Sequence, residues 1–352
     1  MHFNQLRRRE FITLLGGAAV AWPLAARAQQ GGKLPRLGML SPGRSELPEP
    51  GVIMLDAFVQ GLHELGYAEG RNLILERRYA EWRPERLREL AAELAGAGVD
   101  VIVAFATPAA GAAKQATSAI PIVAVAVGDP VADGLVDSLA KPGGNVTGTS
   151  FLGPELTARR LQLFKDIVPG ISHVAALWHP HAYSDRTMAT LLQDTRAAAQ
   201  TLGMRLELVP ADSPDEIDGA LTAVASARVQ GLIVMPSPML YAEYKRIVAF
   251  TAGSRLPGMG AAREFPALGG LASYGVNLSD LSRQSAKYVD LILKGAKPSA
   301  LPVEQPTKFE GHQSASRQRP WCDDHPRVPD ACGRGDRMSK FVALHESGVG
   351  TK

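Results

Sequence analysis

Two histidines two residues apart, His179 and His181 in the run Trp178-His-Pro-His-Ala-Tyr-Ser-Asp185, are the first place in this 352-residue chain to look for chemistry. Imidazoles could hold a metal ion, but a pair on a loop needs a third ligand and none is apparent beside it, so no metal site is expected. Other signatures fail on spacing. Residues Gly38 to Gly43 read GMLSPG rather than GxGxxG, and Gly143-Gly144-Asn145 precedes a strand rather than a helix. The chain has neither a Walker loop nor the GxSxG of a nucleophile elbow. No catalytic set and no cofactor are therefore expected, and the chain does not read as an enzyme.

What recurs instead is a series of strand-to-helix loops with small or polar residues. They are Ser41-Pro42-Gly43, Thr107-Pro108-Ala109, Gly128-Asp129-Pro130, His179-Pro180, Pro236-Ser237-Pro238 and Arg263-Glu264-Phe265. A proline in a first helical turn leaves neighbouring N–H groups free for a carboxylate or other anion. Several residue roles stay open at this level. Thr107 suits a helix cap or a ligand contact, Asp129 a turn or the partner of a ligand ammonium group, and Tyr274 and Trp178 either ring stacking or core packing.

The elements that must carry these loops follow a βα alternation. Strands are expected over Arg36 to Leu40, Asn72 to Tyr79, Val99 to Ala106 and Ile122 to Val127, with helices near Val52 to Leu65, Pro84 to Ala95 and Ala109 to Ala116. Runs such as VDVIVAF and PIVAVAV are apolar on both faces, as a parallel sheet covered by helices on both sides requires. After Asn145-Val146-Thr147-Gly148 the grammar repeats. Helices are expected at Pro154 to Ile167, Asp185 to Leu202, Pro214 to Ala227 and Leu240 to Ala252, and strands at His173 to Trp178, Arg205 to Val209 and Leu232 to Met235. A last helix, Leu278 to Leu293, is expected to return to the first lobe. Two α/β lobes of this kind enclose a cleft at the carboxyl ends of their strands.

Composition narrows the partners. Hydrophobic residues make up 45% of the chain and aromatic residues only 6%, with 35 glycines and 25 prolines, which suits many short βα turns. The net charge is +3, and residues 1–28 alone, with four arginines and one glutamate, account for it. The remainder is near neutral and has no basic stripe, so nucleic acid is not an expected partner. Residues 1–28 read as a cleaved export signal, with Arg7, Arg8 and Arg9 before an apolar run and Ala26-Arg27-Ala28 as the cleavage pattern. Arg8-Arg9 also resembles a twin-arginine signal, and the choice of export route stays open. The run is shorter than the roughly 20 residues of a membrane span and is interrupted by Pro23.

The segments LGMLSPG, AFVQGLHELGYAEGRNL, the stretch from VDVIVAFATP to KPGGNVTG, REF, SYG and ILKGAKPSALPVEQPTKFE together resemble the ABC-transporter substrate-binding proteins of the tryptophan/tyrosine-binding-like type, over roughly residues 35 to 310. The resemblance implies a type I periplasmic-binding-protein fold, with two Rossmann-like doubly wound lobes joined by a hinge. It divides the chain into residues 34–146 plus about 275–310 for the N-terminal lobe and 147–274 for the C-terminal lobe. It also implies a periplasmic, monomeric protein that closes on a small solute, such as an amino acid, and delivers it to an ABC permease. Carried over by position, the ligand-facing residues are Ser41, Pro42, Thr107, Pro108, Asp129, His179, Pro236, Arg263 and Tyr274. The chain departs from the family at Ala106, where Gly usually precedes Thr-Pro, at His179, where Asn is common, and at Met259-Gly260-Ala261, where a Tyr-containing loop is frequent.

The largest departure is the segment 311–352, which reads as out-of-frame and disordered sequence, with no designed role for Cys322 and Cys332. A zinc-binding tail built on Cys322, His325 and Cys332 is the alternative, although its spacing fits no common finger. For the whole chain, a ligand sensor serving a membrane receptor and an exported α/β enzyme stand as the other function classes.

Overall fold

The structure is a computed structural model and describes residues 34–44 and 50–314. The first lobe runs β1 (Arg36–Ser41), α1 (Pro50–Glu64), β2 (Ile74–Tyr79), α2 (Arg86–Gly96), β3 (Val101–Phe105), α3 (Ala106–Ala116), β4 (Ile122–Val127) and β5 (Val146–Ser150). Its five strands lie parallel in the order β2-β1-β3-β4-β5. Every residue of β3 and β4 is buried, because helices cover both faces. Leu37, Met39, Val101, Val103 and Val123 pack with Phe58 and Leu62 of α1 on one face. Leu40, Ile102, Ala104 and Ile122 pack with Leu87, Leu90 and Leu94 of α2 on the other.

The second lobe contains α4 (Thr157–Ile167), β6 (His173–Trp178), α5 (Asp185–Thr201), β7 (Arg205–Pro210), α6 (Ile217–Ser226), β8 (Gly231–Val234), α7 (Pro238–Ala242), α8 (Tyr244–Gly253), β9 (Gly258–Gly260), α9 (Glu264–Ala267) and β10 (Ala272–Gly275). It is followed by α10 (Leu278–Leu293) and β11 (Glu310–Gln313). The sheet order is β11-β10-β9-β8-β6-β7, parallel except for the β10–β11 pair. The order β2-β1-β3-β4 thus recurs as β7-β6-β8-β9, and equivalent loops of the two lobes occupy equivalent places at the strand ends.

Three crossings join the lobes, after β5, between β10 and α10, and in the stretch leading to β11. Helix α10 leaves the second lobe and packs on α1, as the sequence leads one to expect. The approach is close: a Cβ on Gly61 of α1 would lie 2.4 Å from the carbonyl oxygen of Arg283. The chain then runs beside β5, where Ser150 N–H donates to Glu304 O at 2.9 Å and Glu304 N–H to Gly148 O at 3.0 Å.

Several expected boundaries shift. The division at 146/147 falls inside β5, which completes the first sheet. The single helix expected over Leu240 to Ala252 is two helices that break at Glu243, whose backbone leaves helical geometry at φ −93° and ψ 5°. No glycine or proline marks that break. Of the segment 311–352, residues 311–313 form an edge strand on β10 and Ser314 N–H reaches Leu271 O. The rest of that segment, with Cys322, His325 and Cys332, and the export pattern of residues 1–28 lie outside the described residues. Among the described residues, no helix is long and apolar enough to cross a membrane.

Candidate functional site

At the end of β1 the chain turns back on itself. Gly43 N–H donates to Ser41 Oγ at 3.2 Å, and the turn is zipped to residues 80–82 by Ala80 N–H to Ser41 O, Glu81 N–H to Gly43 O and Trp82 N–H to Pro42 O, all within 2.8–2.9 Å. This pairing holds Glu81 and Trp82 in the left-handed region, at φ 54° and 62°. Two successive non-glycine residues there carry strain that the surroundings must over-determine, a pattern that concentrates at ligand sites. The result places the Trp82 indole over Gly43, whose Cβ would meet the ring at 3.3 Å.

The equivalent loop after β6 carries His179 and His181. The β6–β7 register, Trp178 opposite Pro210, brings the residues after both strands to one end of the sheet. There Ala211 N–H donates to Trp178 O at 2.9 Å, and His181 Nδ1 hydrogen-bonds Asp212 Oδ1. His179 Nδ1 is 2.9 Å from Ser237 Oγ, and Ser237 in turn caps α7 through the N–H of Leu240. Burial holds the His179 imidazole down at about 4, against the opposing pull of Asp212, so the ring is neutral at pH 7. The sequence shows no third donor beside the two histidines; the fold supplies one in Asp212.

Between these walls lies a small concavity that opens to solvent, with about 20 Å³ of room inside it. The first lobe contributes Pro42, Ala80, Trp82, Arg83, Pro84, Leu87 and Pro108, and the second His179, His181, Ala182, Pro238 and Met239. Its lining, apolar with a few convergent polar groups, has the character of a small-molecule site.

Of the residues singled out from sequence, Pro42, Pro108 and His179 line this cavity. Ser41 and Thr107 are buried beside it, their side chains engaged within the first lobe: Thr107 Oγ1 accepts the N–H of Gly128 at 3.0 Å. Thr107 sits inside the first turn of α3, and the residue preceding that helix is Phe105. Asp129 Oδ1 accepts from Val131 N–H at 3.1 Å and Ala132 N–H at 2.9 Å, as a turn aspartate does. The Pro236 carbonyl accepts from Tyr183 Oη at 3.0 Å. Arg263 is half-exposed beside Glu264 at 3.6 Å, and Tyr274 stacks on Phe309 with ring centroids 6.4 Å apart. These last four do not line the cavity. Trp82, Arg83 and Met239 line it without having been singled out; the clue available was a tryptophan just past a strand, followed by Arg-Pro.

Contacts between the lobes close one side of the cleft. Asp133 Oδ1 accepts from Thr187 Oγ1 at 2.5 Å and from Ser184 Oγ, and the Tyr183 ring lies against Gly128, where a Cβ would meet it at 2.6 Å. Beneath the crossings, the fully buried Arg160 donates from Nε to Tyr274 O at 2.7 Å and from Nη1 to Gly153 O at 2.9 Å. It therefore ties two crossing segments together. Among the described residues no carboxylate forms an ion pair with it, and burial lowers the pKa of its guanidinium.

The profile of the ABC transporter substrate binding protein family matches residues 52–311. A tyrosine-binding protein of Clostridioides difficile is 27% identical over 248 residues, covering 70% of each chain. Among solved structures, a conserved domain protein from Vibrio cholerae is similar at 27% identity and a TM-score of 0.73, covering 80% of this chain and 92% of that one. An ABC domain from Streptococcus pneumoniae, solved in complex with L-Trp, is similar at 27% identity and a TM-score of 0.68, covering 78% and 91%. The fold is that of the type I periplasmic binding proteins, and the chain belongs to the ABC transporter substrate binding protein family.

Proposed function

We propose that this chain is the solute-binding subunit of an ABC importer, which takes an amino acid with an aromatic or other bulky apolar side chain into the cleft and presents it to a permease. The observation that carries this reading is the interlobe cavity itself, walled by Trp82, Leu87, Pro108 and Met239 and flanked by the polar His179 and His181. An apolar side chain gains by leaving water there, and an indole face offers a stacking surface. The names of the relatives, one for tyrosine and one solved with L-Trp, support the same solute class. Closure of two lobes about a hinge converts occupancy into a shape that a membrane partner can distinguish.

The export pattern of residues 1–28 supports a periplasmic location for the mature chain, which is read as a monomer, and the segment 311–352 is read as out-of-frame sequence. Genomic DNA tests the latter: a family-like frame on either side of codon 311 supports it, and its absence overturns it. The binding role is tested by thermal denaturation of the mature chain against the common amino acids and small carboxylates. A solute that binds only the folded state stabilises it by about 2.7 kcal/mol at a hundred times its Kd. A folded sample that no member of the panel shifts contradicts the assignment.

A further inference from the structure

We propose that His179, His181 and Asp212 form a binding site for one divalent transition-metal ion of the zinc class in the second-lobe wall of the cleft. The potential ligand atoms of all three lie within 4.8 Å of one another. His179 Nε2 is 3.9 Å from Asp212 Oδ1, beyond hydrogen-bond range. Two ligands of a tetrahedral ion with bonds of about 2.1 Å stand about 3.4 Å apart, so a small movement of exposed side chains closes the set. His181 and Asp212 are the exposed members, at 53% and 44% of their side-chain surface, and the hydrogen bond between them opens to admit the ion.

Two features separate this group from an incidental surface pair. The first is support behind the ligands. His179 is nearly buried, and its other ring nitrogen is fixed by Ser237 Oγ at 2.9 Å, the outer-shell arrangement that orients metal-binding imidazoles. Asp212 is held from its backbone side, where its N–H donates to Glu216 Oε2 at 2.9 Å. The second is placement. Both histidines line the cavity, so three protein ligands leave the remaining coordination position facing the cleft. Two imidazoles and one carboxylate favour Zn²⁺, Co²⁺ or Ni²⁺ over the oxygen-seeking Mg²⁺ and Ca²⁺.

The test uses the mature full-length chain after chelator treatment, titrated with Co²⁺ while d–d absorption is followed, and with Zn²⁺ in competition with a chromophoric chelator. One ion per chain is expected. His181→Ala and Asp212→Asn each weaken binding at least tenfold without changing the melting temperature of the metal-free protein, and Ser237→Ala weakens it by about 10- to 100-fold through loss of ring orientation. Absence of binding by the unaltered chain overturns the proposal. So does binding that His181→Ala and Asp212→Asn leave unchanged, including binding that is lost instead on replacing Cys322 and Cys332 with serine.

Discussion

The two lobes repeat one topology but close their ends of the cleft by different means. After β1 the first lobe seals its loop with backbone hydrogen bonds and a single hydroxyl, Ser41 Oγ, and after β3 Thr107 Oγ1 caps an N–H of the neighbouring loop. At the equivalent places the second lobe uses two side-chain pairs, His179 with Ser237 and His181 with Asp212. It also buries an arginine, Arg160, against two carbonyls at the crossings. The difference shows that a sheet order determines where a cleft lies while the loop residues decide what it can hold. The first-lobe wall presents Trp82 among mostly apolar residues, and the second sets the imidazoles of His179 and His181 beside Ala182, Pro238 and Met239.

The largest expected effect falls on the second lobe. Arg160→Met removes the donors to Tyr274 O and Gly153 O and leaves both carbonyls without those partners in a buried setting, which costs about 3 kcal/mol. Urea unfolding should show a lower midpoint at an unchanged slope, and a loss below about 1 kcal/mol would mean that the crossings do not depend on this clamp.

Acid should distinguish the walls next. The folded-state value of His179 lies at about 4, below its ordinary value of 6.5, so the unfolded chain binds the proton more readily. The contribution is fully present above pH 6.5 and is lost as pH falls toward 4, amounting to about 3 kcal/mol over that window in the metal-free chain. His179→Gln should flatten this part of the stability–pH profile; an unchanged profile would show that another group governs it.

A matched pair of substitutions sharpens the contrast at equivalent positions. Thr107→Val leaves the buried Gly128 N–H without its acceptor, at about 1–2 kcal/mol, and should displace the whole stability–pH curve without changing its shape. Ser237→Ala removes a helix cap worth about 1 kcal/mol and also frees His179, so it should move the acid limb as well as the plateau. If both variants give curves of one shape, the two hydroxyls are equivalent and the contrast between the walls fails.

The smallest effect concerns Ala106, which begins α3 at a φ of 65°, in the left-handed region. Ala106→Gly should raise stability by about 0.5–1 kcal/mol in thermal denaturation, since alanine at positive φ is strained.

These positions also show what could be read in advance. The βα alternation, the doubly covered sheets and the return of α10 were legible because they rest on apolar periodicity, as in the uniformly buried β3 and β4. Of the residues expected to face the cleft, Pro42, Pro108 and His179 line the cavity, but only Pro108 stands in the first turn of a helix; Pro42 lies in the turn after β1 and His179 in the loop before α5. Trp82 was not, because its direction depends on a left-handed backbone imposed by hydrogen bonds to a loop some forty residues earlier, which no residue type announces. Asp212 was missed because it stands 31 residues from His181 and meets it only through the parallel pairing of β6 with β7. The break between α7 and α8 escaped notice because Glu243 interrupts the helix without glycine or proline.

The central claim is that the cleft binds a solute against the Trp82 wall. Titration calorimetry of the mature chain with the solute that raises its melting temperature most, repeated on Trp82→Ala, tests it most directly. The account predicts one site per chain and at least a tenfold loss of affinity in Trp82→Ala, measured on variant protein that remains folded. Equal affinity in the two proteins would contradict it.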